Sequence, residues 1–141
     1  PEVTTKSGAR VKIICGELEG IVGPVREIVT EPEYLDVTLP PNIEFRHAIK
    51  RGHTVFAYIF EGQGRFGDST DEVIDIDHLV IFDDGDEVLV SSADCGVRFL
   101  LISGRPINEP IAWYGPIVMN TQEEIELAFR EYRDGTFIKH K

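Results

Sequence analysis

Short apolar runs of period two, each stopped by glycine or proline, fill most of this 141-residue chain and limit it to sheet-rich folds. Val11, Ile13 and Cys15 alternate with polar or outward positions up to Gly16, and Leu35, Val37 and Leu39 do the same up to Pro40-Pro41. Successive side chains of a strand point to opposite faces, so this alternation marks strands with one buried face. The central run Thr54-Val55-Phe56-Ala57-Tyr58-Ile59-Phe60 is apolar on both parities. It predicts a strand covered on both sides or crossing a barrel wall. Further runs at 73–76, 79–82, 87–91 and 97–102 bring the expectation to six or seven short strands between about 9 and 103. That spacing predicts a sandwich or small barrel.

The period changes once. Thr121-Gln122-Glu123-Glu124 reads as a capping box, the Thr hydroxyl accepting from the third helical amide while the Glu reaches back to the cap. A helix is expected over about 121–134, with Ile125, Ala128, Phe129 and Tyr132 as its apolar stripe and Gly135 as its stop. Between strands and helix, residues 104–120 read as a loop bracketed by Pro110 and Pro116 and loaded with Trp113, Tyr114, Ile117, Val118 and Met119. Loops seldom carry so much apolar surface without covering something. At 141 residues and 15.8 kDa, one domain over 1–141 is expected, all-β with one C-terminal α-helix.

Fourteen Lys and Arg against 25 Asp and Glu leave a net charge of -11, which repels phosphate backbones and anionic lipid, so no direct nucleic-acid binding is expected. No apolar run approaches the roughly 18 residues of a membrane helix. Nine of the acids lie between Asp68 and Glu87 with no Lys or Arg among them. A cation site or a patch for a basic partner would fit that charge. Asp83-Asp84-Gly85-Asp86 lacks the alternating ligands and terminal Glu of a calcium loop, however, and solvated turns explain the segment better. The cysteines are Cys15 and Cys95; apolar neighbours make Cys15 a buried thiol, and a reducing cytoplasm is the expected compartment. The chain opens on Pro1, without Met or a basic-then-apolar leader, which predicts a processed or cut piece of a longer protein with no secretory signal in view.

Residues for chemistry are sparse. A divalent site of imidazoles and a carboxylate needs about three His converging from neighbouring strands. The chain offers His47, His53, His78 and His140. His140, next to Lys141, is expected at a frayed end, His53 and His78 are expected to satisfy hydrogen bonds at strand starts, and His47 to lie on the surface. No metal site is expected. There is no Gly-x-Ser-x-Gly elbow, and neither Cys has a basic sequence neighbour apart from Arg98, three residues past Cys95. Gly62-Gln63-Gly64-Arg65-Phe66-Gly67 matches a dinucleotide fingerprint in form, but an acidic turn and more strand follow where a helix should begin, so a hairpin turn is expected. A barrel interior could hold a flat apolar ligand, lined by Phe56, Tyr58 and Phe60 with His53, or by Val55, Ala57 and Ile59 on the other parity. Plain core is the commoner role for such side chains.

Several stretches carry a family likeness. Gly52-His53-Thr54 through Tyr58-Ile59-Phe60-Glu61-Gly62 resembles a cupin strand and its turn. Leu100-Leu101-Ile102-Ser103-Gly104-Arg105-Pro106-Ile107-Asn108-Glu109-Pro110-Ile111, then Tyr114-Gly115-Pro116-Ile117-Val118-Met119-Asn120-Thr121 and Glu123-Glu124-Ile125, resemble the C-terminal half of the pirin family. Tyr34-Leu35-Asp36-Val37, Asp77-His78-Leu79-Val80 and Gly85-Asp86 follow in the expected order.

The resemblance implies a cupin-type double-stranded β-helix, a small β-barrel or jelly roll. It also implies that full-length relatives place two such barrels face to face, with one iron site, the seat of the quercetin 2,3-dioxygenase activity reported for some members, in the N-terminal barrel. The chain looks like the other barrel. Counting back from Gly62, the family's His-x-His pair would fall within Ala48-Ile49-Lys50-Arg51, which contains no His. Iron is therefore expected only in the missing N-terminal half, and this chain is expected to hold no cofactor and no catalytic residue. It is expected to act as a binding or structural module through Trp113, Tyr114, Pro116, Met119, Ile125, Phe129 and Tyr132, meeting a second copy in a homodimer or a second cupin half. The alternative is a supporting half of a pirin-like quercetin 2,3-dioxygenase. A transcriptional co-regulator role rests on family analogy alone.

Overall fold

Alternation in the sequence becomes antiparallel pairing along most of the chain. The computed structural model describes residues 1–68 and 71–139, so His140 lies outside the described residues. Two compact units emerge, Pro1–Pro106 and Ile107–Lys141.

The first unit contains β1 (Glu2–Thr4), β2 (Arg10–Cys15), β3 (Glu17–Leu18), β4 (Ile21–Val22), β5 (Glu33–Leu39), β6 (Glu44–Ala48), β7 (Thr54–Phe66), β8 (Leu79–Ile81) and β9 (Glu87–Gly104). One sheet takes the order β1-β2-β5-β9-β7-β8, with β6 also paired to β9, and β3 and β4 form a separate small hairpin. The path does not close on itself, in keeping with a jelly roll. Leu35, Val37 and Leu39 lie opposite Leu101, Phe99 and Val97, so both strands turn apolar residues to the same side. Phe45, Phe66 and Phe99 meet there edge to face, Phe99 lying 6.4 Å from Phe45 and 5.2 Å from Phe66 between ring centres. Such aromatic pairs add about 0.5–1.5 kcal/mol beyond the area they bury.

The sheet changes face partway along its two longest strands. In β9, Val88, Val90 and Ser92 are buried before Ala93–Gly96, and Val97, Phe99, Leu101 and Ser103 after it, so the inward parity switches from even to odd. The runs 87–91 and 97–102 are therefore one 18-residue strand and not two. In β7 the buried set moves from Val55, Ala57 and Ile59 to Gly64 and Phe66, with register shifts at Ile59/Glu61 and Gly62/Gly64. Bulges bend strands and re-aim side chains. The Gly62–Gly67 segment lies in this bulged end of β7 and just beyond it, which corrects the expected hairpin turn. Gly62 takes φ +72, and a Cβ there would stand 2.2 Å from the Gly96 carbonyl oxygen. These glycines serve close backbone approach at the bend.

Four strands of this unit arise where none was expected: the two-residue β3 and β4, β1, before the expected start near residue 9, and β6, whose Phe45 and His47 face inward while Arg46 faces out between Glu44 and Glu87, at 2.7 Å from each. Residues 73–76 make no strand, only a bridge between Ile74 and Gly64. The described part of the acidic segment forms turns around β8, and Arg51 reaches Asp86 at 2.8 Å.

In the second unit the expected loop is instead a hairpin, β10 (Ala112–Tyr114) and β11 (Ile117–Met119), followed by α1 (Gln122–Arg133). Gly115, at φ +57, and Pro116 make its two-residue turn. The helix begins as the capping box requires: Thr121 Oγ1 accepts from the Glu124 amide at 3.2 Å, and the Glu124 carboxylate accepts from the Thr121 amide at 2.9 Å. No helix among the described residues is long and apolar enough to cross a membrane.

Candidate functional site

Three polar side chains meet at inward positions of the first unit. Glu33 shares the parity of Leu35, Val37 and Leu39 on β5; His47 shares that of Phe45 on β6; Ser103 shares that of Phe99 and Leu101 on β9. His47 is 6% exposed and Ser103 is buried. A lone polar group at such depth is costly, and here the three satisfy one another. His47 Nε2 lies 3.2 Å from Glu33 Oε2, and the Ser103 hydroxyl donates to the same oxygen at 3.1 Å. The His47 ring stacks on Phe45 with planes 8° apart. Burial pushes the Glu33 carboxyl upward, but the hydrogen bond and charge of His47, with the Ser103 hydroxyl, outweigh it and hold the group below its ordinary value of 4.5.

This trio is not a nucleophilic triad. In a triad the imidazole stands between hydroxyl and carboxylate and takes the hydroxyl proton. Here the carboxylate stands in the middle and accepts from both neighbours, so the His47 imidazole does not face the Ser103 hydroxyl. His78 is exposed and pairs with Asp75 at 2.9 Å, His47 is committed to Glu33, and among the described residues no group of three His, Cys, Asp or Glu side chains is placed to hold a metal ion.

Glu33 lines two open clefts. One, of about 430 Å³, has His47 and Phe45 in its wall together with Thr5 and Ser7. The other, of about 470 Å³, runs between the segment Cys15–Glu33 and the pair Lys50 and His53. Its apolar walls include Val22, Val25, Ile28 and Pro32, and Lys50 Nζ is tied to Glu31 at 2.6 Å. Cys15 is buried there as a free thiol directed at the Pro32 carbonyl at 3.2 Å, while Cys95 is free and exposed.

The expected barrel-pocket set is only partly brought together. Phe56, Tyr58 and Phe60 lie on the face of β7 opposite the core: Tyr58 is 38% exposed and bonds Asp77 at 3.3 Å, and Phe60 lies 4.9 Å beneath the Arg98 guanidinium. Their alternates Val55, Ala57 and Ile59 are the core itself, because the smaller side chains fit the crowded inner face. Of that set His53 lines the larger cleft. His47, expected on the surface, is instead buried, since parity with Phe45 turns it inward.

The second unit carries the other candidate surface. Trp113 and Val118 are cross-strand neighbours on one face of the hairpin, 72% and 61% exposed. Tyr114 points to the opposite face and meets Phe129 of α1 edge to face at 5.3 Å. The Trp113 indole N–H donates to the Gly115 carbonyl at 2.6 Å, which orients the ring. Tyr114, Pro116 and Tyr132 are exposed, and Met119 and Phe129 half-buried. Ile125, expected at an interface, is fully buried and corrects that assignment: with Ala128 it forms the packed side of the helix.

Residues 34–138 match the family model described as the pirin C-terminal cupin domain. Pirin-1 of Arabidopsis thaliana is 42% identical over 132 residues, 92% of this chain and 46% of its own length. Human pirin is 36% identical over 132 residues, 92% of this chain and 45% of its length. Among solved structures, the quercetin 2,3-dioxygenase from Acinetobacter baumannii superposes with a TM-score of 0.85 at 27% identity, covering 97% of this chain and 47% of that one. The chain thus spans about half the length of the curated relatives it matches.

Proposed function

Because the chain belongs to the pirin family, as its C-terminal cupin domain, we propose that it works as a binding module whose aromatic hairpin docks onto a second, cupin-sized half. The carrying observation is the exposed pair Trp113 and Val118, presented by a hairpin whose other face is held by Tyr114 on Phe129. Tryptophan and tyrosine dominate binding hot spots because they bury much area at little conformational cost. An exposed apolar patch on a turn-stiffened hairpin is the kind of surface a partner covers. Relatives such as Pirin-1 and the Acinetobacter baumannii enzyme hold about as much chain again beyond the matched C-terminal domain, which supports a partner of that size and family over a second copy. The unpaired thiols of Cys15 and Cys95 suit a reducing compartment such as the cytoplasm.

The structural likeness to a quercetin 2,3-dioxygenase favours a second reading, in which the same docking supports a catalytic half. In that case the ligand-bearing residues belong to the partner, and this chain contributes rigidity and position.

The N-terminal half of Pirin-1, added to the chain in a calorimeter, is expected to bind. Trp113→Ala should weaken that binding by about 2 kcal/mol, roughly thirtyfold. Ile81→Ala, also at an exposed residue but on β8 of the first unit, should leave it unchanged. Absence of binding by the unaltered chain, or equal losses from both variants, would count against the reading.

A further inference from the structure

The larger cleft has features that docking through the second unit does not use. Its volume of about 470 Å³ lies within the roughly 300–1,000 Å³ of small-molecule sites. Val22, Val25 and Ile28 give it apolar walls that remain about 40% exposed (39%, 41% and 43%). Glu33, 22% exposed, carries a carboxylate with one oxygen held by His47 and Ser103, while no hydrogen bond falls on Oε1 among the described residues. Four carboxylates line the cleft against two permanent cations, Arg26 and Lys50. Both cations are engaged, Lys50 with Glu31 and Arg26 Nε with the Gly23 carbonyl at 3.1 Å.

We propose that this cleft binds a small organic cation with an apolar body, an arylalkylamine in chemical class, its ammonium on the free oxygen of Glu33 and its ring against Val25 and Ile28. A partly desolvated carboxylate already fixed by two donors loses little freedom on accepting a third, and charge-assisted hydrogen bonds are about twice as strong as neutral ones. The net charge of -11 raises the local concentration of cations and disfavours anions of the same shape. A bare metal ion would find too few ligands and no use for the apolar walls.

The test is an amide chemical-shift titration of the whole chain with phenethylamine, and with phenylacetate as a probe of similar body and opposite charge. Shifts should concentrate in residues 15–33 and 50–53, with the amine binding at least about tenfold tighter than the acid. Glu33→Gln should lose about tenfold in amine affinity. Ile28→Ala, which leaves the buried trio untouched, should lose about threefold or more. Equal responses to both probes, shifts centred on the acidic turns at 71–87, or wild-type affinity in Ile28→Ala would overturn the proposal.

Discussion

Replacing Gly62 with alanine is expected to destabilise the chain by about 3 kcal/mol or more, a large part of the roughly 5–15 kcal/mol that holds a domain of this size together. Two effects add. At φ +72 an L side chain meets its own backbone, a cost of about 1–2 kcal/mol. The new Cβ would also stand 2.2 Å from the Gly96 oxygen and 2.9 Å from its carbonyl carbon. Those atoms are backbone of β9 and cannot swing away as a side-chain tip would, so the strands must part at the bend, at a further cost of about 1–3 kcal/mol. Gly52→Ala separates the two effects, because Gly52 also has a positive φ of +79 but nothing lies within 4 Å of its Cβ position. It should cost only about 1 kcal/mol. Urea denaturation of the two variants reads the difference, and similar midpoints for both would remove the close approach from the account of the bend.

Glu33→Gln is expected to lose about 2 kcal/mol at pH 7, because charge-assisted bonds from His47 and Ser103 become neutral ones in a largely buried setting. The loss should depend on pH in a defined direction. The folded state holds the Glu33 carboxyl below its ordinary value of 4.5, so the unfolded chain takes up a proton there first as pH falls. The stabilisation from this group is thus fully present above about 4.5 and fades as pH drops from there through the folded-state value. Unfolding free energies of the unaltered chain and of Glu33→Gln, measured between neutral pH and pH 3, should converge on the acid side. A gap of constant size across that range would show that the charge on Glu33 is not what holds the trio.

The parts of this molecule that were legible in its sequence are those where polarity and parity agree. Val11, Ile13 and Cys15 of β2 and Leu35, Val37 and Leu39 of β5 alternate cleanly and fold as they read. The helix announces itself by chemistry as well as period, through Thr121 and Glu124. Where the inward residue is polar, the pattern hides. Glu44-Phe45-Arg46-His47-Ala48 has one large apolar side chain and does not look like a strand, yet β9 supplies the partner that turns His47 inward. Glu33 and Ser103 were missed for the same reason, although counting in twos from Leu35 and Leu101 would have placed both on the core face.

Glycine misleads differently. Gly62 and Gly64 look like a turn because turns use positive φ, but a bulged strand needs the same freedom. At residues 112–119 the two prolines suggested a loop, whereas Gly115-Pro116 serves as a tight turn that lets Trp113 and Val118 pair. The central run of β7 was ambiguous in principle. Both parities are apolar, and only the packing density of the inner face decides that Val55, Ala57 and Ile59 go in while Phe56, Tyr58 and Phe60 stay out.

That the chain acts by contact through its aromatic hairpin can be tested at one atom. Trp113 is its single tryptophan, so 5-fluorotryptophan labelling places one fluorine on the hairpin. The account predicts a solvent-exposed fluorine signal, unchanged as the chain is concentrated, that converts to a buried one on adding an unlabelled N-terminal half of Pirin-1 and saturates at one partner per chain. A signal that stays exposed throughout, or that becomes buried as the chain alone is concentrated, would contradict it.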